Sequence, residues 1–113
     1  MSTDDEAVWR ALGNPVRRKI LELLRNGGKT TGTLAEAFPE LSRYAVMQHI
    51  GVLEEAGLLL VRREGRQRFN YLNPVPIERI YRRWMHPFAS QVAAEMLALE
   101  AHLKKQQKKK EDE

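Results

Sequence analysis

Apolar residues in the first half of the chain recur at helical spacing, in short blocks separated by strong stops. Val16, Ile20, Leu23 and Leu24 fall on one face of a helix that Asn14 can cap and Pro15 can open; Asn26, Gly27 and Gly28 end it. Ahead of it, Glu6 to Leu12 predicts a short helix stopped at Gly13. Ala7, Trp9 and Leu12 are its apolar content, Asp4 and Asp5 lie near its positive end, and its tryptophan is expected to be covered. Thr30 or Thr31 caps a third, short helix that turns Leu34, Ala35 and Phe38 inward before Pro39 stops it. After a brief turn, Ser42 caps a fourth helix to about Ala56, with Val46, Ile50 and Leu53 on its inner face and Gly57 as a left-handed terminator.

At Leu58 the period changes. Leu58 to Arg63 and Arg66 to Leu72 are extended runs joined around Glu64 and Gly65, a β-hairpin in which Phe69 and Tyr71 are expected to face the core. Beyond Asn73, Pro74 and Pro76 open another helical region, with Ile77, Ile80, Trp84, Phe88, Val92, Met96, Leu99 and Leu103 as an apolar stripe. Pro87 removes a backbone donor there and predicts a kink or break near Met85 to Pro87. Lys104 to Glu113 is low in complexity and is expected to fray. The fold class is mainly α with a small β-hairpin, in the order of a winged helix-turn-helix. One domain would occupy residues 1–105, with a core at about 14–73, C-terminal helices at about 76–104 and a charged tail at 106–113.

Composition narrows the chemistry. The 113 residues suffice for one core, and 42% hydrophobic with 30% charged residues is an ordinary globular balance with no run long enough to span a membrane. The acidic, polar start from Met1 to Glu6 lacks the pattern of a secretory signal, so a cytoplasmic location is expected. With no cysteine there is no disulfide, thiolate metal site or thiol switch. No nucleophile paired with a base, glycine-rich phosphate loop or carboxylate cluster appears, so an enzyme is not expected.

The net charge of +4 is modest, but its placement is uneven. Arg62, Arg63, Arg66 and Arg68 fall within seven positions around the hairpin turn, where their repulsion opposes folding unless a polyanion neutralises it. On the fourth helix the outward stripe holds Arg43, Tyr44, Met47, Gln48 and Gly51. An α-helix fits the major groove, where Arg can bond guanine, Gln can pair with adenine, and Met or Tyr can touch a thymine methyl. A solvated helix face and a solubilising hairpin are the plainer readings of the two segments. Gly51, unfavourable in a helix interior, implies a close neighbour, and His49 reads as a packed, hydrogen-bonded histidine.

Trp9 to Val16 (WRALGNPV), Arg17 to Leu24 (RRKILELL), Ala45 to Leu53 (AVMQHIGVL) and Glu55 to Leu58 (EAGL) together resemble the arsenic-repressor-like (ArsR) winged-helix regulators. The resemblance covers nearly the whole ordered chain. It implies a homodimer that represses by occupying an operator, with Ser42, Arg43, Tyr44 and Gln48 on the recognition helix and Arg62 to Arg68 in the wing. Met47 departs from the small polar residue common there, which implies a different operator sequence.

Metal-sensing members use a cysteine pair on the recognition helix, or His and acidic ligands on the last helix. Neither pattern is present: His86 and His102 stand 16 residues apart with Pro87 between them, so no metal or other cofactor is expected. The C-terminal half resembles a metal-independent branch in which the last helix serves dimerisation.

The apolar stripe supports a dimer independently, being more than a four-helix core can absorb. Trp9, Leu12, Ile80, Trp84, Phe88, Val92, Met96 and Leu99 are its expected interface residues; the alternative is that the terminal helix folds back on its own domain. The expected partners are double-stranded operator DNA and a second copy of the chain, with no membrane. A winged helix that binds protein instead of DNA is the rival function.

Overall fold

A computed structural model of the chain describes residues 2–86 and 91–111, with side chains from Asp5 to His86 and from Gln91 to Lys110. The chain divides into two compact units, Met1–Glu78 and Arg79–Glu113.

The first unit begins with helix α1 (Ser2–Leu12), one turn longer at its start than the apolar pattern implies. Its buried face is Asp5, Val8 and Ala11, so Trp9 points away and is 46% exposed in the single chain. Helix α2 (Pro15–Leu23) starts where Asn14 accepts the backbone N–H groups of Val16 at 2.8 Å and Arg17 at 3.3 Å. Such a cap satisfies donors the helix cannot and contributes about 1 kcal/mol. Ile20, Leu21 and Leu24 from α2 enter the core, and the Lys19 ammonium lies 5.0 Å over the ring of buried Phe38.

A strand that the sequence pattern does not announce follows: β1 (Lys29–Thr30), only two residues long. Thr30 then caps α3 (Thr31–Glu36) through its hydroxyl to the Thr33 N–H, and Leu34 points inward. Helix α4 (Arg43–Glu55) buries Val46, Ile50 and Leu53. Its end is a Schellman turn: the Leu58 N–H reaches the Leu53 carbonyl at 2.9 Å, the Gly57 N–H reaches Glu54 at 3.0 Å, and Gly57 takes φ +79°. Leu53 and Leu58, the two apolar residues such a turn brings together, are both fully buried.

Strands β2 (Leu59–Glu64) and β3 (Gln67–Leu72) form the hairpin, and β1 adds to the other edge of β3, giving the antiparallel order β1-β3-β2. Gly65, at φ +61°, occupies the first central position of a two-residue turn in which Arg66 keeps a negative φ, a type II′ geometry suited to twisted strands. The register pairs Leu59 with Leu72, Val61 with Asn70 and Arg63 with Arg68 on one face; Leu60, Phe69 and Tyr71 share the other. The inward residue of β3 is therefore Asn70, fully buried, and the expected inward placement of Phe69 and Tyr71 is reversed. Asn70 is held there by bonds from Nδ2 to the Lys29 carbonyl at 3.3 Å and the Thr31 hydroxyl at 3.2 Å, so β1 and the start of α3 satisfy the donor side of the amide, while its Oδ1 is buried with no hydrogen-bond partner among the described residues. Tyr71 lies instead across Gly28, where any Cβ would collide with its ring. Asn73 closes the hairpin base, donating from Nδ2 to the Gly57 carbonyl at 2.9 Å and accepting the Val75 N–H at 3.2 Å.

Helix α5 (Val75–Ile80) runs into a π-helical turn at Tyr81–Met85, where the His86 N–H bonds back to the Tyr81 carbonyl. The irregularity arrives before Pro87; Pro87 and Phe88 themselves lie outside the described residues. In the second unit α6 (Gln91–Glu111) carries regular helix through the stretch expected to fray. Lys, Gln and Glu are strong helix formers, and Lys108, Lys109 and Lys110 in the last turn complement the helix dipole. No helix among the described residues is long and apolar enough to cross a membrane.

Two glycines predict opposite outcomes. Gly28→Ala should lower stability by about 1–3 kcal/mol by displacing the Tyr71 ring. Gly51 has nothing within 4 Å of a built Cβ, so no neighbour within the described chain accounts for it, and Gly51→Ala should add about 1 kcal/mol to the stability of the free protein through helix propensity. Denaturant titration of both variants measures the two signs.

Candidate nucleic-acid interface

The inner row of α4 fixes what its outer row presents. With Val46, Ile50 and Leu53 buried, the side chains of Arg43, Tyr44, Met47 and Gln48 emerge into solvent on the opposite face. Ser42 is engaged as the cap, its hydroxyl accepting the Ala45 N–H at 3.0 Å. Gln48 donates from Nε2 to the Tyr44 hydroxyl at 3.0 Å, a link between neighbours one helical turn apart that restricts both side chains.

The hairpin arginines separate into different roles. Arg63 and Arg66 are exposed and, like Arg43, make no ion pair among the described residues. Arg62 lies 3.3 Å from Glu64 in an exposed pair that solvent screens strongly. Arg68 is committed: its Nη2 donates to Glu54 Oε1 of α4 at 2.7 Å, and its Nε is buried with no hydrogen-bond partner. An open groove of about 330 Å³ brings helix and hairpin together, with Arg43 and Met47 on one side, Arg66, Gln67 and Arg68 on the other, and residues 30–32 between them. Tyr44, Gln48, Arg62 and Arg63 lie outside its lining. Sequence reasoning passed over Gln67 and residues 30–32, whose place depends on β1 pairing with β3.

A second set of arginines is occupied structurally. Arg17 donates from Nε to the Ala11 carbonyl at 2.8 Å and from Nη2 to the Arg10 carbonyl at 3.0 Å; Arg18 donates to Leu12 at 2.7 Å. These cations satisfy carbonyls at the C-terminal end of α1, where a positive charge is also favoured by the dipole. Arg17 Nη1 lies 3.2 Å from His49 Nδ1. Since a guanidinium only donates, the ring accepts at Nδ1 and carries its proton on Nε2. Burial, and then the charge of Arg17, lower the His49 pKa below its ordinary 6.5.

Among the residues expected at a dimer interface, Trp9, Trp84, Val92, Met96 and Leu99 are exposed and Leu12 is half-buried. Ile80 is only 4% exposed and so is already covered within the single chain. Among the described residues no group of three or more His, Cys, Asp or Glu is placed to hold a metal ion.

Comparisons with known proteins bear on the fold and the family. Residues 12–62 match a helix-turn-helix domain family. The transcriptional repressor SdpR of Bacillus subtilis (strain 168) is 34% identical over 71 residues, spanning 63% of this chain and 78% of that protein. A crystal structure of a possible transcriptional regulator for arsenical resistance superposes with a TM-score of 0.63 at 31% identity, over 79% of this chain and 92% of that one. An ArsR family transcriptional regulator gives 0.64 at 26% identity, over 100% of this chain and 96% of its own.

The His49 geometry carries a pH prediction. The unfolded chain takes up a proton near 6.5 and the folded chain only at lower pH, so the unfolded state binds more protons in between. The stability this contributes is complete above the unfolded value and is lost as pH falls through the folded one. The melting temperature of the wild type should therefore drop more from neutral pH to about pH 5 than that of His49→Gln, which can still accept from Arg17. Parallel melting profiles for the two proteins would remove His49 as the source.

Proposed function

This chain belongs to the ArsR-like winged helix-turn-helix transcriptional regulators, and from that premise we propose that it is a homodimeric repressor that places its two α4 helices in successive major grooves of an inverted-repeat operator. DNA binding and transcriptional regulation come with the family. The finer reading rests on one observation: the exposed face of α4 and the hairpin share a groove lined by Arg43 and Arg66, two cations without ion-pair partners in the described chain.

In this arrangement Arg43, Tyr44, Met47 and Gln48 read base edges. Arg can grip guanine, Gln can pair with adenine, and Met47 and the Tyr44 ring offer apolar contact to thymine methyls. Ser42 holds the start of the helix and brings its hydroxyl to the phosphate backbone. Arg62, Arg63 and Arg66 meet phosphates or the adjoining minor groove, and Arg68 serves the placement of the wing. Two recognition helices about 34 Å apart match the repeat of the duplex, so the operator is an imperfect inverted repeat.

The second copy is argued from exposed apolar surface. Val92, Met96, Leu99 and Leu103 recur at helical spacing on α6 and are all exposed, and Trp9 stands uncovered on α1. A helix with such a stripe gains about 25 cal/mol for each Å² of apolar surface it removes from water, and a two-fold axis buries the same stripe twice. Phe88, which the same stripe would include, lies outside the described residues.

Arg66→Ala should weaken binding across all duplexes and reduce the slope of log K against log salt by about 1.8, about 0.9 for each wing of the dimer, whereas Gln48→Ala should shift sequence preference and leave the slope in place. Gel-shift titration over a salt series reads both. An unchanged slope for Arg66→Ala removes the wing from the interface, and no complex at low salt would favour a protein-binding winged helix instead. Light scattering should give twice the chain mass for the wild type and a shift toward the monomer for Leu99→Glu, accompanied by weaker DNA binding; a wild-type monomer at micromolar concentration would end the dimer reading.

A further inference from the structure

The hairpin and the outer face of α4 are joined by a single ion pair, Arg68 to Glu54, and it sits beside the proposed DNA groove. Glu54 belongs to the last turn of α4, and its carboxylate takes the Arg68 guanidinium at 2.7 Å. Arg68 is 33% exposed, so one side of it still borders the groove that Arg43, Met47 and Arg66 line. The other side borders a smaller concavity of about 100 Å³ shared with Glu54, Met47 and Gly51. A cation facing a polyanion has therefore been given a carboxylate within the protein, while its neighbours Arg63 and Arg66 have none.

We propose that Glu54 masks Arg68 from DNA, so that the wing is tied to the recognition helix and its non-specific attraction to phosphate is held down. Glu54 is thus a positioning and specificity-determining residue for DNA binding, acting through Arg68 and touching no base. The inference rests on the DNA-binding reading given above.

Its physical basis is the dependence of non-specific affinity on the number of phosphates neutralised, each released counterion adding about 0.9 to the salt slope. A guanidinium already matched to a carboxylate releases no counterion when DNA arrives. Four free wing cations would raise affinity for every duplex alike, and discrimination depends on the ratio of specific to non-specific binding. A fixed hairpin also keeps Arg66 and Gln67 at a set distance from Arg43, so that base and backbone contacts are made in one register.

The test uses Glu54→Gln, Arg68→Gln and the double variant in the full-length protein, with Arg66→Gln as a control. Because the pair is partly exposed, its loss leaves folding intact, which a thermal melt of each variant verifies. The probes are a mixed-sequence duplex of about three helical turns and a duplex enriched from a random pool by the wild-type protein.

Glu54→Gln keeps a hydrogen-bond acceptor for Arg68 and removes the charge, so the salt slope on mixed-sequence DNA should steepen by about 1.8, about 0.9 for each wing of the dimer. Mixed-sequence binding should tighten more than binding to the enriched duplex. Arg68→Gln should leave the slope at the wild-type value, and the double variant should match Arg68→Gln. A slope reduced by about 1.8 in Arg68→Gln, about 0.9 for each wing, would mean that Arg68 already meets phosphate, and overturns the proposal. So does a double variant that binds mixed-sequence DNA more tightly than Arg68→Gln, since Glu54 would then act by direct repulsion. An unchanged Glu54→Gln overturns it as well, provided Arg66→Gln loses its share of the slope; if that control is also unchanged, the wing itself does not reach DNA.

Discussion

The arrangement depends on how helix α4 ends. Its inner row of Val46, Ile50 and Leu53 is anchored in the core, and the left-handed turn at Gly57 returns the chain so that Leu58 packs where Leu53 already lies. A residue with a Cβ at Gly57 would strain that turn, and a helix prolonged by one residue would rotate Leu58 out of the core. Because β2 begins immediately afterwards, the same turn sets the position of the hairpin against the outer face of α4. Asn73 fastens the far end of the hairpin to the same place through the Gly57 carbonyl. Recognition helix and wing are thus fixed relative to each other by a few backbone bonds and two buried leucines.

Around this frame, positive charge is sorted by what each cation already holds. Arg17 and Arg18 are occupied by carbonyls at the end of α1, and Arg17 also reaches His49, so the first helix, the second and the recognition helix share one guanidinium. Arg68 is occupied by Glu54. What remains available at the groove is Arg43 and Arg66, with Arg63 nearby on the hairpin. A net charge of +4 therefore says little about affinity for DNA; on the proposed reading what matters is the small set of cations without an ion pair among the described residues where α4 and the hairpin meet.

The two compact units divide the work along similar lines. Residues 1–78 contain the complete sheet, the recognition helix and the core that supports them. Residues 79–113 contribute a helix whose side chains are exposed throughout their described length, a state that a single copy of so apolar a stripe does not favour in water. On the proposed reading, DNA reading and self-association fall to different parts of the chain, and a change on α6 would weaken operator binding without touching α4.

The sequence by itself determined the order of the first four helices, the limits of α2 and α4, the hairpin, and the inward row of α4 with the residues opposite it. Each is encoded within a few residues: Asn14, Thr30 and Ser42 as caps, Gly57 and Gly65 at positive φ, and a period that changes at Leu58. The candidate interface was legible to the same extent, as a list of residue types on one face. Only the tertiary structure decided which of those residues are free. Arg17 meets His49 across 32 positions, Asn70 meets Lys29 across 41 and Arg68 meets Glu54 across 14, and no local pattern records such partners. The two-residue β1 escaped notice for the same reason, since a short edge strand exists only because its partner is present, and so did the face of β3, which buries Asn70 and leaves Phe69 and Tyr71 half-buried on the opposite side. Periodicity and capping are properties of neighbours in the chain, whereas neutralising a charge or burying an amide depends on neighbours in space.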